Sequence, residues 1–229
     1  MKIGLIAAEA FELMPLVRRL RDPRNVGLPI RFARVGKWNE VEWICAADGS
    51  GPRVAGHVTR QVVTKFRPDV LWSIGLCGGL EDRLCFAEVV HVGEVVDAAN
   101  GERFRCDGIT GSSGSVAVSQ DRVALSIQEK RELSTLGSVV EMEAAGVARE
   151  AAMAGLPFGC VKVISDTADE PISIDLNAAR DSEGRIEGHR VVRQAMKHPL
   201  SGTAELFRLW RKSRIAAERL GEFLGNCRV

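Results

Sequence analysis

The sequence predicts an α/β fold with a mostly parallel sheet and helices on both faces. Three observations carry this. Short apolar runs recur along the 229 residues, at Lys2–Ala8, Asp69–Leu76, Val116–Val118, Val139–Val140 and Cys160–Ile164. Amphipathic or Ala-rich stretches of helical length separate many of them. Several runs end in acids or paired glycines, and open α/β sheets bind ligands outside the carboxyl ends of their strands.

Taken in order, Lys2–Ala8 reads as a central strand. The helix after it carries Leu13, Leu16, Val17 and Leu20 on one face. Pro23 to Pro29 reads as a loop. Ile30–Val35 and Val41–Ala47 read as a hairpin across Gly36–Asn39. Val41, Trp43 and Cys45 alternate, which fits an antiparallel edge. Gly49-Ser50-Gly51-Pro52 opens a helix to about Lys65. Such a turn either cradles an anion with its N–H groups or simply starts the helix. Asp69–Leu76 closes in Cys77-Gly78-Gly79-Leu80, whose glycines let a ligand or a neighbouring strand come close. Ala87–Val96 is strand-like and broken by Gly93. Residues 98–115 are polar and rich in Gly and Ser, which reads as a loop or lid. An amphipathic stretch follows Ser119-Gln120-Asp121 and runs to about Leu136.

The most informative segment is 138–169. It reads strand, Ala-rich helix, Gly-Leu-Pro turn, strand. Glu143 and Asp166, 23 residues apart, fall near one rim of one sheet. The bland alternatives are a first-turn acid favoured by the helix dipole for Glu143 and a helix cap for Asp166.

Composition narrows the function. Hydrophobic content of 45% suits a globular core, and a net charge of +1 directs no whole-chain field at nucleic acid. Cys45, Cys77, Cys85, Cys106, Cys160 and Cys227 include no CxxC pair and have no His at ligand spacing. They suggest free thiols in a reducing cytoplasm and no structural metal. No apolar run is long enough to span a bilayer, and Glu9 and Glu12 interrupt any signal-like start. The tail differs: residues 180–229 hold eleven Arg or Lys against six acids. Leu206, Trp210, Ser213, Ala217, Leu220 and Leu224 step along one helix face, with Arg208, Arg211, Lys212, Arg214 and Arg219 around it. This is either a docked helix with a solvated basic side or a surface helix that meets lipid. The expected organisation is one domain over 1–229, with 180–229 a basic helical extension.

Four segments now stand in a familiar order: Glu12 after the first strand, Leu76–Leu80, Val140-Glu141-Met142-Glu143-Ala144 and Ile164-Ser165-Asp166-Thr167-Ala168-Asp169. In these, residues 1–170 resemble the purine nucleoside phosphorylase and methylthioadenosine/S-adenosylhomocysteine nucleosidase superfamily. The long tail is similar to a hopanoid-associated phosphorylase branch, linked to adenine removal from adenosylhopane. The resemblance implies a three-layer α/β/α fold whose mixed, mostly parallel sheet curls toward a barrel. It implies cleavage of a purine N-glycosidic bond without a cofactor. Glu143 would hold the ribose hydroxyls with Met142 against the sugar, Asp166 would protonate purine N7, and Glu12 would activate water. Cys77 and Gly78 would line the pocket, Ser165 would bind substrate beside Asp166, and Val123 and Ala124 would offer backbone to the base. A homodimer is also implied, with 98–115 contributing to a cover. The location implied is cytoplasmic, with peripheral contact at the inner membrane face through the C-terminal helix.

Two departures matter. The Arg that phosphorylases carry after the first strand is replaced here by Ala7-Ala8-Glu9-Ala10-Phe11-Glu12. Acids there repel phosphate and favour water, so phosphate stands as the alternative nucleophile, with Arg53 and Arg60 as its candidates. Glu9 also stands where the hydrolases carry a small or apolar residue. The rival function is a non-catalytic nucleoside-binding protein that kept the fold.

Overall fold

The computed structural model of the chain describes residues 1–107, 114–197 and 199–227. In order these form β1 (Lys2–Ala7), α1 (Ala10–Val17), β2 (Arg21–Asn25), β3 (Phe32–Trp38), β4 (Val41–Ala47), α2 (Pro52–Phe66) and β5 (Val70–Gly79). Next come β6 (Val89–Asp97), β7 (Arg103–Arg105), β8 (Ser115–Ser119), α3 (Ile127–Leu133), β9 (Val139–Glu141), α4 (Ala144–Ala154) and β10 (Phe158–Asp166). The tail is α5 (Gly188–Ala195) and α6 (Pro199–Asn226).

The sheet is mixed, and β5 is its branch point. Its first half pairs with β1 through Val70–Ser73, and its last two residues pair with β9 through Gly78 and Gly79. Its other edge pairs with β10 along most of its length. From β10 the sheet continues through β6 and β8 to β9 and so returns to β5. Five strands thus close a ring, and β1, β4, β3 and β2 extend from it as an open wing. The expected curl toward a barrel is this ring.

Helices cover both faces. Val58 and Val62 of α2 and Val147, Ala148 and Ala151 of α4 pack on Ile6, Ile44, Leu71, Cys160 and Ile164. Leu13, Leu16 and Val17 of α1 with Ala216, Leu220 and Leu224 of α6 pack on Leu5, Trp43, Trp72, Ile74, Val161 and Val163. Successive strand residues therefore enter opposite cores, which is why these strands read as continuous apolar runs.

Three local expectations change. β4 is not an edge: β1 lies on one side of it and β3 on the other, and both of its faces are buried. Ile44 and Ala46 are as apolar as Trp43 and Cys45, so the alternation carried no solvent face. The edge is instead β2, in the stretch expected to be a loop from Pro23. Its residues are exposed and Pro23 gives up an N–H, as an edge strand permits. Within 98–115, Arg103–Arg105 forms β7 against β6, and residues 108–113 lie outside the described residues. The β3–β4 hairpin forms, but Gly36, Lys37 and Trp38, expected in its turn, belong to β3. Its turn falls at Asn39 and Glu40, whose φ values of 49° and 61° suit a tight two-residue connection.

The tail stripe holds in its second half alone. Ala217, Leu220 and Leu224 are buried, and the Trp38 indole N–H donates to the Gly225 carbonyl at 3.0 Å. Trp210 is 59% exposed and Phe207 62%. Arg208 and Lys212 reach Glu170, at 3.4 and 2.5 Å, rather than solvent.

The contact between α2 and α4 depends on Gly146, where a Cβ would lie 1.9 Å from the Pro52 carbonyl oxygen. Gly146→Ala must push the helices apart. The expected loss is about 1–3 kcal/mol or more, the usual range for overpacking, read as a lower urea midpoint. An unchanged midpoint would mean that the helices have slack at this contact.

Candidate active site

Strand pairing brings the acids together. Gly78 of β5 pairs with Asp166 of β10 on one side and Val140 of β9 on the other. Asp166 and the Glu141–Glu143 turn thus flank β5 at about two strand spacings, roughly 10 Å. Glu12 enters from α1: its Oε2 accepts the Glu9 N–H at 2.7 Å and its Oε1 accepts the Leu76 N–H at 2.8 Å. β5 admits it because Gly75, at φ +133°, has no side chain there; a Cβ would sit 2.6 Å from Oε1. Gly78 leaves the same kind of room for Asp166, with Oδ2 at 3.0 Å from a built Cβ.

The two glutamates of the Glu-Met-Glu run have separate duties. Glu141 accepts the N–H groups of Glu143 and Ala144 at 2.8–3.1 Å and so caps α4. It also pairs with Lys162 at 2.7 Å. Glu143 keeps looser partners, the Gly51 N–H at 3.4 Å and Lys162 at 3.7 Å. The Gly49–Gly51 turn therefore both starts α2 and offers an N–H to an acid, the chain's own. Met142 is buried between the two glutamates.

Burial dominates the electrostatics. Glu143 is pushed up to about 8 by desolvation, which the Lys162 ammonium opposes and the Glu141 and Glu12 charges reinforce. Burial also raises Glu12, while its two backbone bonds and Lys162 pull it back. Glu9, half-buried beside Glu12, rises to about 7, burial first and the Glu12 charge second. Burial works against the Lys162 charge, but Glu141 and Glu143 more than restore it, so Lys162 ends above its ordinary value. Glu143, raised to about 8, therefore holds its proton at neutral pH. The Cys77 thiol is raised well above its ordinary value by burial and is no nucleophile.

The other candidate residues lie around this cluster. Ser165 Oγ lies 2.6 Å from Asp166 Oδ1 and 3.1 Å from the Cys77 carbonyl. Asp166 Oδ2 lies 2.5 Å from the Nζ of Lys130. Ala124 is buried with Leu80, Val118 and Val140, which sets the β8–α3 connection beside the β5–β9 junction. The Val123 backbone is engaged by Asn177: its N–H donates to Oδ1 at 2.8 Å and its carbonyl accepts from Nδ2 at 2.9 Å. A groove of about 410 Å³, walled by Gly51, Arg53, Val54, Asp121, Asn177 and Arg180, meets the acid cluster at Gly51. A larger groove of about 580 Å³ lies on α6, away from the acids. Among the described residues no group of three or more His, Cys, Asp or Glu is placed to hold a metal ion.

Sequence reasoning missed Lys162, Lys130 and Asn177, and carried Glu141 in its motif without a role. Lys162 left a signal: a lysine within Cys160–Ile164, a run buried on both faces, demands a partner acid. Lys130 and Asn177 left none, because their partners lie 36 and 54 residues away.

The raised Glu143 sets a pH dependence. Its ordinary value is 4.5 and its folded value about 8, so folding takes up a proton between them. That contribution to stability is complete below 4.5 and is lost as pH rises through about 8. Glu9 acts with the same sign, and His91, lowered by burial, titrates beneath the window used. The urea unfolding free energy should fall from about pH 6.5 to about pH 8.5, and Glu143→Gln should flatten most of that slope. An equal slope in the variant would place the proton elsewhere.

A family profile described as the Phosphorylase superfamily matches residues 94–197. The 5′-methylthioadenosine/S-adenosylhomocysteine nucleosidase of Shewanella halifaxensis is 24% identical over 210 residues, spanning 76% of this chain and 91% of that protein. The S-adenosylhomocysteine nucleosidase of Streptococcus pyogenes, solved with 5-methylthiotubericidin, matches with a TM-score of 0.72 at 22% identity, covering 100% of this chain and 98% of that one. The futalosine hydrolase of Helicobacter pylori matches with a TM-score of 0.73 at 19% identity, covering 98% and 95%. The two solved structures speak for the fold alone. Residues 94–197 are thus similar to the phosphorylase superfamily, and most of the chain is similar to methylthioadenosine/S-adenosylhomocysteine nucleosidases.

Proposed function

We propose that this chain cleaves the N-glycosidic bond of an adenine nucleoside with water. The observation that carries the reading is the convergence of Glu12, Glu143 and Asp166, all buried, where β5 passes from β1 to β9. Purine nucleosides are the substrates named for its relatives. A purine anion leaves poorly, and a proton placed on N7 as the bond lengthens makes it a better leaving group. Asp166 delivers that proton. The sugar becomes cationic, and Glu143, bonded to its hydroxyls, stabilises the charge and orients the ring. Glu12 takes the proton of the attacking water. Glu143 holds its proton at rest and gives it up to solvent as the sugar turns cationic, because the growing positive charge favours the carboxylate.

Water is favoured over phosphate by the charges present. The site holds Glu12, Glu141 and Glu143 around one ammonium. The candidate phosphate residues are engaged elsewhere: Arg60 pairs with Glu150 at 2.5 Å and Arg53 donates to the Glu183 carbonyl at 3.1 Å. The fold leaves the 5′ substituent open, since nucleosidases and a futalosine hydrolase share it.

A lipid-linked nucleoside such as adenosylhopane is the second reading, favoured by the exposed Phe207, Trp210 and Ile215 beside the α6 groove. Arg211 and Arg214 are exposed on the same helix, while Arg208 and Lys212 are held by Glu205 and Glu170. Peripheral membrane contact would therefore rest on Phe207, Trp210, Arg211 and Arg214. A second copy of the chain, in a homodimer, is the competing occupant of that face. Among the described residues no helix is long and apolar enough to cross a membrane.

The test is free adenine from methylthioadenosine, adenosine and a long-chain 5′-alkyl adenosine, each with and without phosphate. Release without phosphate is expected, and Asp166→Asn should lower it by ~10²–10⁴, the usual general-acid range. Near-full turnover in that variant would remove Asp166 from the role. Release with phosphate alone would reassign Glu12, and none at all would leave a nucleoside-binding protein. For the lipid reading, Phe207→Ser with Trp210→Ser should lower both co-sedimentation with anionic vesicles and turnover of the alkyl substrate. Unchanged co-sedimentation would leave α6 as a docked helix.

A further inference from the structure

We infer that Lys130 supplies the proton that Asp166 passes to the leaving base. The inference rests on the proposed glycosidic cleavage. Lys130 lies on α3 and is 1% exposed. Its three ammonium protons have three acceptors: Asp166 Oδ2 at 2.5 Å, the Thr167 carbonyl at 2.6 Å and the Glu170 carbonyl at 2.8 Å. All three lie at or just beyond the end of β10.

Stability does not account for this arrangement. Replacing a buried ion pair with apolar groups of similar volume is often neutral or stabilising. The two carbonyls alone would clamp the loop, and a neutral donor could serve them. The charge is directed at the acid. Ser165 Oγ reaches the other carboxyl oxygen, Oδ1, and a hydroxyl is far too weak an acid to feed it. An ammonium at 2.5 Å pairs with the carboxylate form of Asp166. A carboxylate has no proton to give, so the proton for N7 enters from its neighbour.

The balanced step is as follows. The C1′–N9 bond breaks and its electron pair goes to the purine ring. Lys130 Nζ gives a proton to the Asp166 carboxylate, and N7 takes that proton from the resulting carboxyl. The base leaves as the neutral N7–H purine, Lys130 is left as an amine, and Asp166 is again a carboxylate. The sugar cation gains the oxygen of water, whose proton goes to Glu12. Solvent then returns one proton from Glu12 to Lys130. An amine is a suitable partner for this transfer, because the purine anion it neutralises is itself a base of comparable strength. Lys130 does not touch the substrate in this scheme. It is a positioning residue that acts through Asp166.

The experiment uses the full chain, two substrates and two variants. Methylthioadenosine needs leaving-group protonation; a nitrophenyl riboside does not, because nitrophenolate departs as a stable anion. Lys130→Met should lower turnover of methylthioadenosine by ~10²–10⁴ and that of the nitrophenyl riboside less than about tenfold. Lys130→Arg keeps the positive charge and its bonds, but a guanidinium does not give up its proton in proteins. It should lose methylthioadenosine turnover while keeping the nitrophenyl activity, and it decides the matter if the Met variant does not fold. Recovery of methylthioadenosine turnover by Arg would overturn the inference in favour of a charge that only orients Asp166. Equal loss of both substrates in the Arg variant would reduce Lys130 to a clamp, and full activity in either variant would also overturn the assignment. If the wild-type chain cleaves neither substrate, the proposed function falls and takes this inference with it. If it cleaves both but the variants do not discriminate, only the inference falls.

Discussion

The ammonium of Lys162 is the charge around which the interior is arranged. It stands on β10 and reaches Glu141 at the end of β9, past β5 between them. Glu141 in turn caps α4 through the N–H groups of Glu143 and Ala144. The pair therefore ties one side of the closed ring to the other and sets where α4 begins. Buried ion pairs add little to net stability once desolvation is counted. What this one does is specify arrangement. A slip of β10 by one residue would turn Lys162 out of the core it shares with Cys160 and Ile164 and leave Glu141 without a counter-charge. The same ammonium acts on the protonation of Glu12 and Glu143, so the fold's register and the site's electrostatics share one cause.

β5 is the second constraint. It must serve β1, β9 and β10, and it must let carboxyl groups from both flanks approach its backbone. Gly75 makes room for Glu12 and Gly78 for Asp166. With a side chain at either position, an acid would be displaced from the place where the strands converge. This is also where the open wing gives way to the ring, the kind of topological junction at which open α/β sheets hold ligands. Glu12 doubles as a capping acid through the Glu9 N–H, so its local and its proposed chemical duties coexist.

The tail belongs to the site's support. Glu170 accepts the Thr167 N–H and binds Arg208 and Lys212, while Lys130 holds the Thr167 and Glu170 carbonyls from the opposite side. The loop that follows Asp166 is thus gripped between α3 and α6. A helix that reads as an appendage in sequence braces the acid from which the proposed chemistry starts. Its exposed aromatic half is left for contacts of another kind.

Much of this was legible beforehand. Residues 138–169 resolve into strand, helix and strand where the acids and the Gly-Leu-Pro turn implied, and Glu143 and Asp166 flank β5 near one rim. The Gly-rich turns at 49–51 and 78–79 fall where a helix starts and where two strands come close. The errors were of one kind. β4 was assigned to an edge and residues 23–29 to a loop because neighbours cannot be read from a single strand. Arg208 and Lys212 were counted with the solvated or lipid-facing side of α6 because Glu170 lies far away in sequence. By itself, the sequence determined most of the buried strands and helices and which acids end the strands, since periodicity, glycine and helix-capping preferences act within a few residues. Tertiary structure alone decided which lysine faces which acid, because burial and Coulomb attraction depend on distances that close only when separate segments of the chain are packed together, as for Lys130 and Asp166, 36 residues apart.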